Sequence, residues 1–217
     1  HKELNRSEDQ FQQLVQLKPS MLDSFIDGTT LSSINPAVSL DFGGFGKGYA
    51  LDLAEEKLKR LGVKHAVLNA GGDINTIGDY GDRPWLMAIR HPFVKWDVIA
   101  TIPLKPDEEL YTSGNYERYF KEKGVQYSHI LNPFTGAPVQ HIVSASVVGD
   151  NGALDDAAAT ALSVAGPNDW YRIAKKMGLK YVLLIDEEGT FYTNPAMKER
   201  LQIPQGLSPK FVVSPPL

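Results

Sequence analysis

The stretch Leu40-Asp41-Phe42-Gly43-Gly44-Phe45-Gly46-Lys47-Gly48-Tyr49-Ala50-Leu51-Asp52 runs from an apolar, strand-like approach into four glycines and then into an amphipathic helix. Glycines packed so closely remove side chains from one side of the chain, so backbone can approach a partner there. Amides left free at the start of the following helix suit a phosphate or another oxygen-rich ligand, and Lys47 would stand beside it as a point charge. A tight, close-packed turn with a solvated lysine fits the same residues equally well. The choice falls to the rest of the chain.

Two common phosphate loops do not match. The Walker pattern requires a glycine five residues before Gly46 and a serine or threonine after Lys47, where this chain has Asp41 and Gly48. The dinucleotide pattern G-x-G-x-x-G, started at Gly44 and Gly46, ends on Tyr49 instead of glycine.

The chain has 217 residues, enough for one substantial core, and its 42% hydrophobic and 22% charged content fits a globular domain. A net charge of −4, with the 22 lysines and arginines spread along the sequence, argues against a nucleic-acid partner. No apolar run reaches the roughly 18 residues of a membrane helix, and no signal peptide is visible. The absence of cysteine excludes disulfides, thiol catalysis and cysteine-bound metal, and is compatible with an oxidising compartment. A first residue of His1 points to a tag remnant, a processed product or a fragment.

Residues 3 to 17 space apolar side chains as a short surface helix does, closed at Lys18-Pro19. Residues 20 to 37 are turn-rich, with one short strand around Leu31, and residues 38 to 42 form a strand entering the glycine turn. The helix that follows ends at Gly62 behind Lys57, Lys59 and Arg60, as helix C-termini favour. His65 to Asn69 is a strand leading into a second glycine turn, Ala70 to Asn75; two such units in about thirty residues point to one shared site, or to two tight turns. Residues 85 to 91 and 96 to 103 pair as strands across Pro92. A strand stopping at Ser113-Gly114 and a return strand Tyr127 to Leu131 would bring Ser113 and His129 to one sheet end, although a lone strand histidine is more often structural.

Residues 142 to 149 form a small-residue strand, followed by an alanine-rich helix over 153 to 165 that Gly166-Pro167 closes. Asp155 and Asp156 lie in its first turn, where the helix dipole favours carboxylates. Asp156 and Thr160 are four apart and share a face, so both oxygens could reach one hard cation such as Mg²⁺. A helix over 168 to 177, strands at Tyr181 to Ile185 and near Phe191, and a proline-rich tail complete the chain.

Taken in order, Leu40 to Asp52, Asn69 to Ile74, Thr112 to Phe120, Ser128 to Gly136 and Leu154 to Gly166 resemble the FAD:protein FMN transferase family, the ApbE flavin transferases. The resemblance implies an α+β fold with mixed, largely antiparallel sheets flanked by helices. It implies Mg²⁺-dependent cleavage of FAD, release of AMP, and attachment of FMN through its phosphate to a threonine of an acceptor protein of the bacterial cell envelope. The matching positions imply that Gly44, through its carbonyl, and Asp156 and Thr160 hold the metal. They also imply that Lys47 contacts the FAD diphosphate, and that Ser113, His129 and Ile130 line the flavin side. His129 is then the candidate for positioning or proton transfer, beside Asp156 as a catalytic residue.

On this resemblance residues 38–217 form the flavin transferase domain and residues 1–37 a shortened N-terminal region. Family members carry a longer segment there, Ser128 stands where many have a second histidine, and Asn132 where many have aspartate. No membrane span is expected in the chain, and a periplasmic or lipid-anchored location follows from the family alone. Two rivals remain: a member that binds FAD or hydrolyses it without transfer to protein, and a non-catalytic envelope scaffold.

Overall fold

The computed structural model describes residues 13, 16–114, 119–122, 125–128, 130–133 and 135–217. Its frame is a seven-stranded sheet made of β3 (Ala66–Ala70), β4 (Asp73–Ile77), β7 (Glu109–Gly114), β10 (Ile142–Gly149), β11 (Tyr181–Asp186), β12 (Phe191–Thr193) and β13 (Phe211–Val213). The spatial order is β13-β12-β11-β10-β7-β4-β3, antiparallel at every join except the parallel β12 and β13. Three separate two-stranded ribbons accompany it: β1 (Ser24–Asp27) with β2 (Thr30–Ser33), β5 (Trp85–Arg90) with β6 (Val98–Leu104), and β8 (Tyr119–Glu122) with β9 (Val125–Ser128).

Both faces of the sheet are covered, so β10, IVSASVVG, is buried along nearly its whole length, its serines Ser144 and Ser146 included. On one side Ile89, Ile99, Ile102 and Leu104 of the β5–β6 ribbon pack with Ile74, Leu110, Val148, Leu183 and Ile185 of the sheet. On the other side lies a long helix, residues Gly152–Met177, whose Ala158, Ala159, Leu162, Trp170 and Ala174 meet Ala145, Val147, Val182 and Leu184. We number this helix α2, the helix Gly46–Arg60 α1, and the short helix Pro195–Arg200 α3. Helix α1 packs beside α2 and over β3 and β4.

The mixed, largely antiparallel α+β architecture agrees with the sequence expectation. So does α1, which ends with Lys57, Lys59 and Arg60 in its last turn and Gly62 at φ 85°. The helices expected over 153–165 and 168–177 form one run with a break at Gly166 (φ 68°), next to Pro167. Proline cannot donate to the preceding turn, which explains a kink at that point. Residues 38–42 differ from expectation: they take up no strand ladder and reach the glycine turn as unpaired chain. An apolar extended segment becomes a strand only where a neighbour offers hydrogen bonds. The helix expected over 3–17 lies mostly outside the described residues.

Candidate active site

The site is built where the N-termini of α1 and α2 meet above β4 and β7. The glycine turn opens on Asp41, whose Oδ1 accepts the Gly43 amide at 2.6 Å. Phe42 then accepts the amides of Phe45 at 3.3 Å and Gly46 at 2.7 Å through its carbonyl, and the chain enters α1. Phe45, at the N-cap of α1, supplies no side-chain cap. The orphan amides of a helix start need acceptors, and one comes from the other helix: Gly48 N–H donates to Asp156 Oδ2 at 3.0 Å.

The favour is returned. Asp52 of α1 accepts the Gly152 amide at 2.9 Å and the Ala153 amide at 3.0 Å, one on each carboxylate oxygen. Each helix therefore carries glycine and aspartate four residues apart, Gly48 with Asp52 and Gly152 with Asp156, so both sit on the face turned to the partner helix. Contact between the glycines is close: a Cβ on Gly48 would lie 1.9 Å from the Gly152 carbonyl oxygen. Only glycine at these points lets the two helix starts touch.

Beneath the junction Asn75 is enclosed by carboxylates. Its amide nitrogen donates to Asp52 at 3.2 Å, Glu55 at 2.8 Å and Glu109 at 2.8 Å, and its oxygen accepts the Tyr111 hydroxyl at 2.5 Å. Burial first, and then the neighbouring Asp52 and Glu55, push the Glu109 carboxyl up to about 9, so it is protonated at neutral pH. Asp155 is pushed up to about 7, mainly by burial, and the Tyr111 phenol is raised for the same reason. Asp156 is raised by burial; the Gly48 amide opposes this, the Asp73 carboxylate adds to it, and the Lys47 ammonium opposes it again.

Of the residues expected at the site, Lys47, Asp156 and Thr160 come together at this junction. Lys47, the second residue of α1, directs its ammonium to Asp73 at the start of β4. Thr160 donates its hydroxyl to the Asp156 carbonyl at 3.4 Å, one turn back along α2. Gly44 lies half-buried in the glycine turn, with open space where a Cβ would stand. Ser113 is opposite Ala145, on the sheet face that packs against α2, and its neighbour Thr112 donates its amide to Asp73 at 3.2 Å. Ile130 is buried and its carbonyl accepts the Val139 amide at 2.8 Å. His129 lies outside the described residues, as does any hairpin geometry that would join it to Ser113.

Among the described residues, no group of three or more histidines, cysteines, aspartates or glutamates is arranged to hold a metal. A hard cation at this junction would instead draw on one carboxylate, a hydroxyl and a backbone carbonyl. Mg²⁺ accepts such a set when ligand phosphates and water complete its shell. Asp52, Asp73, Asn75, Tyr111 and Glu109 were not singled out by sequence. The repeated glycine–aspartate spacing was the signal for Asp52, and the second glycine turn the signal for Asp73.

The site is thus the junction of two touching helix starts in an α+β domain, with a lysine on one and a carboxylate on the other. The chain belongs to the ApbE family, whose model matches residues 2–183. It is 53% identical over 188 residues to the FAD:protein FMN transferase of Rhodobacter capsulatus, a match covering 87% of this chain and 36% of that protein. It is 31% identical over 168 residues to the FAD:protein FMN transferase of Vibrio cholerae, covering 76% and 50%. Among solved structures, the ApbE protein of Thermotoga maritima superposes with a TM-score of 0.81 at 30% identity, covering 92% of this chain and 66% of that one. The flavinyl transferase ApbE of Pseudomonas stutzeri superposes with a TM-score of 0.73 at 27% identity, covering 90% and 61%. The chain thus spans between about a third and a half of the length of these curated relatives.

Proposed function

We propose that this chain is the catalytic part of a Mg²⁺-dependent FAD:protein FMN transferase acting on a threonine of an acceptor protein in the bacterial cell envelope. The observation that carries the reading is that the joined starts of α1 and α2 hold Asp156 on the Gly48 amide and Lys47, which acts on the Asp156 carboxylate by charge, on Asp73, in a chain whose relatives are named for this activity. Gly44 through its carbonyl, Asp156 through its carboxylate and Thr160 through its hydroxyl are the metal ligands in this reading. A hydroxyl whose proton is engaged, as that of Thr160 is, keeps its lone pairs for a cation. Mg²⁺, when bound there, neutralises charge on the diphosphate and on the departing AMP.

The protein's own groups do the rest. Lys47 holds the diphosphate by charge and hydrogen bonding through its ammonium, since the Phe45, Gly46 and Gly48 amides at the α1 start already donate to Phe42 and Asp156. The resemblance assigns Ser113, His129 and Ile130 to the flavin side. As the threonine oxygen forms its bond to the FMN phosphorus and the bond to AMP breaks, His129 is the group assigned to take the hydroxyl proton. The envelope location rests on the family resemblance, and no helix among the described residues is long and apolar enough to cross a membrane.

The test is FAD binding followed by quenching of flavin fluorescence, with Mg²⁺ and with chelator, and then labelled FMN transfer to an acceptor protein. Asp156→Asn keeps an oxygen for the Gly48 amide but loses the charge. Its transfer rate is expected to fall by on the order of a hundredfold or more, beyond what losing an outer partner of a metal ligand costs. Transfer at the parental rate would remove Asp156 from the metal site, and free FMN in place of labelled protein would make the reaction a hydrolysis.

A further inference from the structure

We propose that Asp73 is the positioning residue of the site: it fixes the Lys47 ammonium at the helix junction, where that ammonium meets the diphosphate of the bound dinucleotide. The proposal rests on the flavin transferase reading above for the identity of the ligand, and on the following geometry for the role. Asp73 is 1% exposed, and a buried carboxylate is tolerated only when paired. Its Oδ1 accepts the Thr112 amide at 3.2 Å and its Oδ2 accepts the Lys47 ammonium. Both oxygens are committed inward.

Lys47 needs such a partner. A cation in the first turn of a helix faces the positive end of the dipole, and a lysine stem has several rotatable bonds and a strong preference for water. Left alone, the ammonium would swing into solvent. Held by Asp73, it spends one of its three N–H donors and keeps two for phosphate oxygens. The second glycine turn exists to deliver this carboxylate. Gly71 (φ 72°) and Gly72 (φ 110°) take left-handed backbone, the Gly72 amide is tied to Asn69 Oδ1 at 2.9 Å, and Asp73 bridges back to Gly71. The two glycine turns thus act as one device, one presenting the ammonium and the other its anchor.

The sign of the effect separates this role from its opposite. A carboxylate near an anionic ligand repels it, so Asp73→Asn should tighten binding if Asp73 acts only through its charge on the ligand. If Asp73 acts through Lys47, the same change weakens binding, by about tenfold for one charge-assisted contact. In a Lys47→Met background it should then change nothing further. The experiment is a calorimetric titration of FAD with Mg²⁺ into the parent, both single variants and the double variant. Additive losses, or binding that is unchanged or tighter in Asp73→Asn, overturn the proposal.

Mg²⁺ with inorganic pyrophosphate serves as a second ligand. A coupled cycle with pyrophosphate in a protein that refuses FAD keeps the role of Asp73 and overturns the flavin reading; FAD binding with an additive cycle does the reverse. Failure of the parent to bind either ligand overturns both. A readout that needs no ligand and no variant is amine acylation of the parent chain followed by peptide mass spectrometry. Lys47 is expected to react several-fold more slowly than the exposed Lys57 on the same helix, and an equal rate would show that the ammonium is not held.

Discussion

The two ends of helix α2 rest on the same sheet in opposite ways. Past its first turn, Leu162, Trp170 and Ala174 pack on Ala145, Val147, Val182 and Leu184 without a charge among them. At its start, the residues below are Asn75, Glu109 and Tyr111, flanked by Asp52, Glu55 and Asp155. Apolar burial is favourable at roughly 25 cal/mol per Å² and needs no direction, whereas a buried polar group is tolerable only in a defined geometry. One end supplies stability, and the other spends some of it to hold Asp156 and Lys47 in place.

Cutting into the apolar end should have the largest effect on folding. Leu162→Ala is expected to cost about 2–5 kcal/mol of stability, read by denaturant unfolding, while FAD affinity of the folded protein stays within about twofold. A large loss of affinity would show that the two ends are not separable. Gly48→Ala strikes the junction itself, placing a methyl against the Gly152 carbonyl. We expect a smaller loss of about 1–3 kcal/mol together with a clear drop in FAD affinity; a stability loss with affinity intact would blur the contrast.

The smallest effect sharpens it through pH. Glu109 has its folded carboxyl at about 9 against an ordinary 4.5, so between those values the folded chain keeps a proton that the unfolded chain has released. Stability from this group is full below about 4.5 and falls as pH rises toward about 9. Glu109→Gln imitates the protonated form. Its thermal midpoint should lie a few degrees above the parent at pH 8 and close to it at pH 5. Asp155, at about 7, leaves a residual slope below neutrality in both proteins, and parallel profiles would count against a protonated Glu109.

Much of the fold was legible because local chemistry marks it. Gly62 behind three basic residues ends α1, the run of small residues at 142–149 marks β10 as a strand, and Pro167 marks the break in α2. Strand order was not legible, since β7 lies between β4 and β10 only through pairings remote in sequence. The strand expected over 38–42 failed for a related reason: extended propensity was present, a ladder partner was not. At the site, Lys47 stood out from the glycine turn and Asp156 from its helical spacing to Thr160, and the resemblance added their expected roles. Asp52, Asp73 and Asn75 did not, because each has meaning only opposite a group from another element.

The contact of Gly48 with Gly152 also divides the site by tolerance to change. No side chain larger than hydrogen fits at either glycine, since a Cβ on Gly152 would lie 2.4 Å from Asp52 Oδ1 and 2.5 Å from the Tyr111 hydroxyl. Gly44, by contrast, has open space at the Cβ position, and the role proposed for it uses its carbonyl alone. Substitution is therefore tolerated sterically at Gly44 and not at the helix contact, and a library meant to alter ligand preference should vary Gly44 and leave both helix glycines untouched.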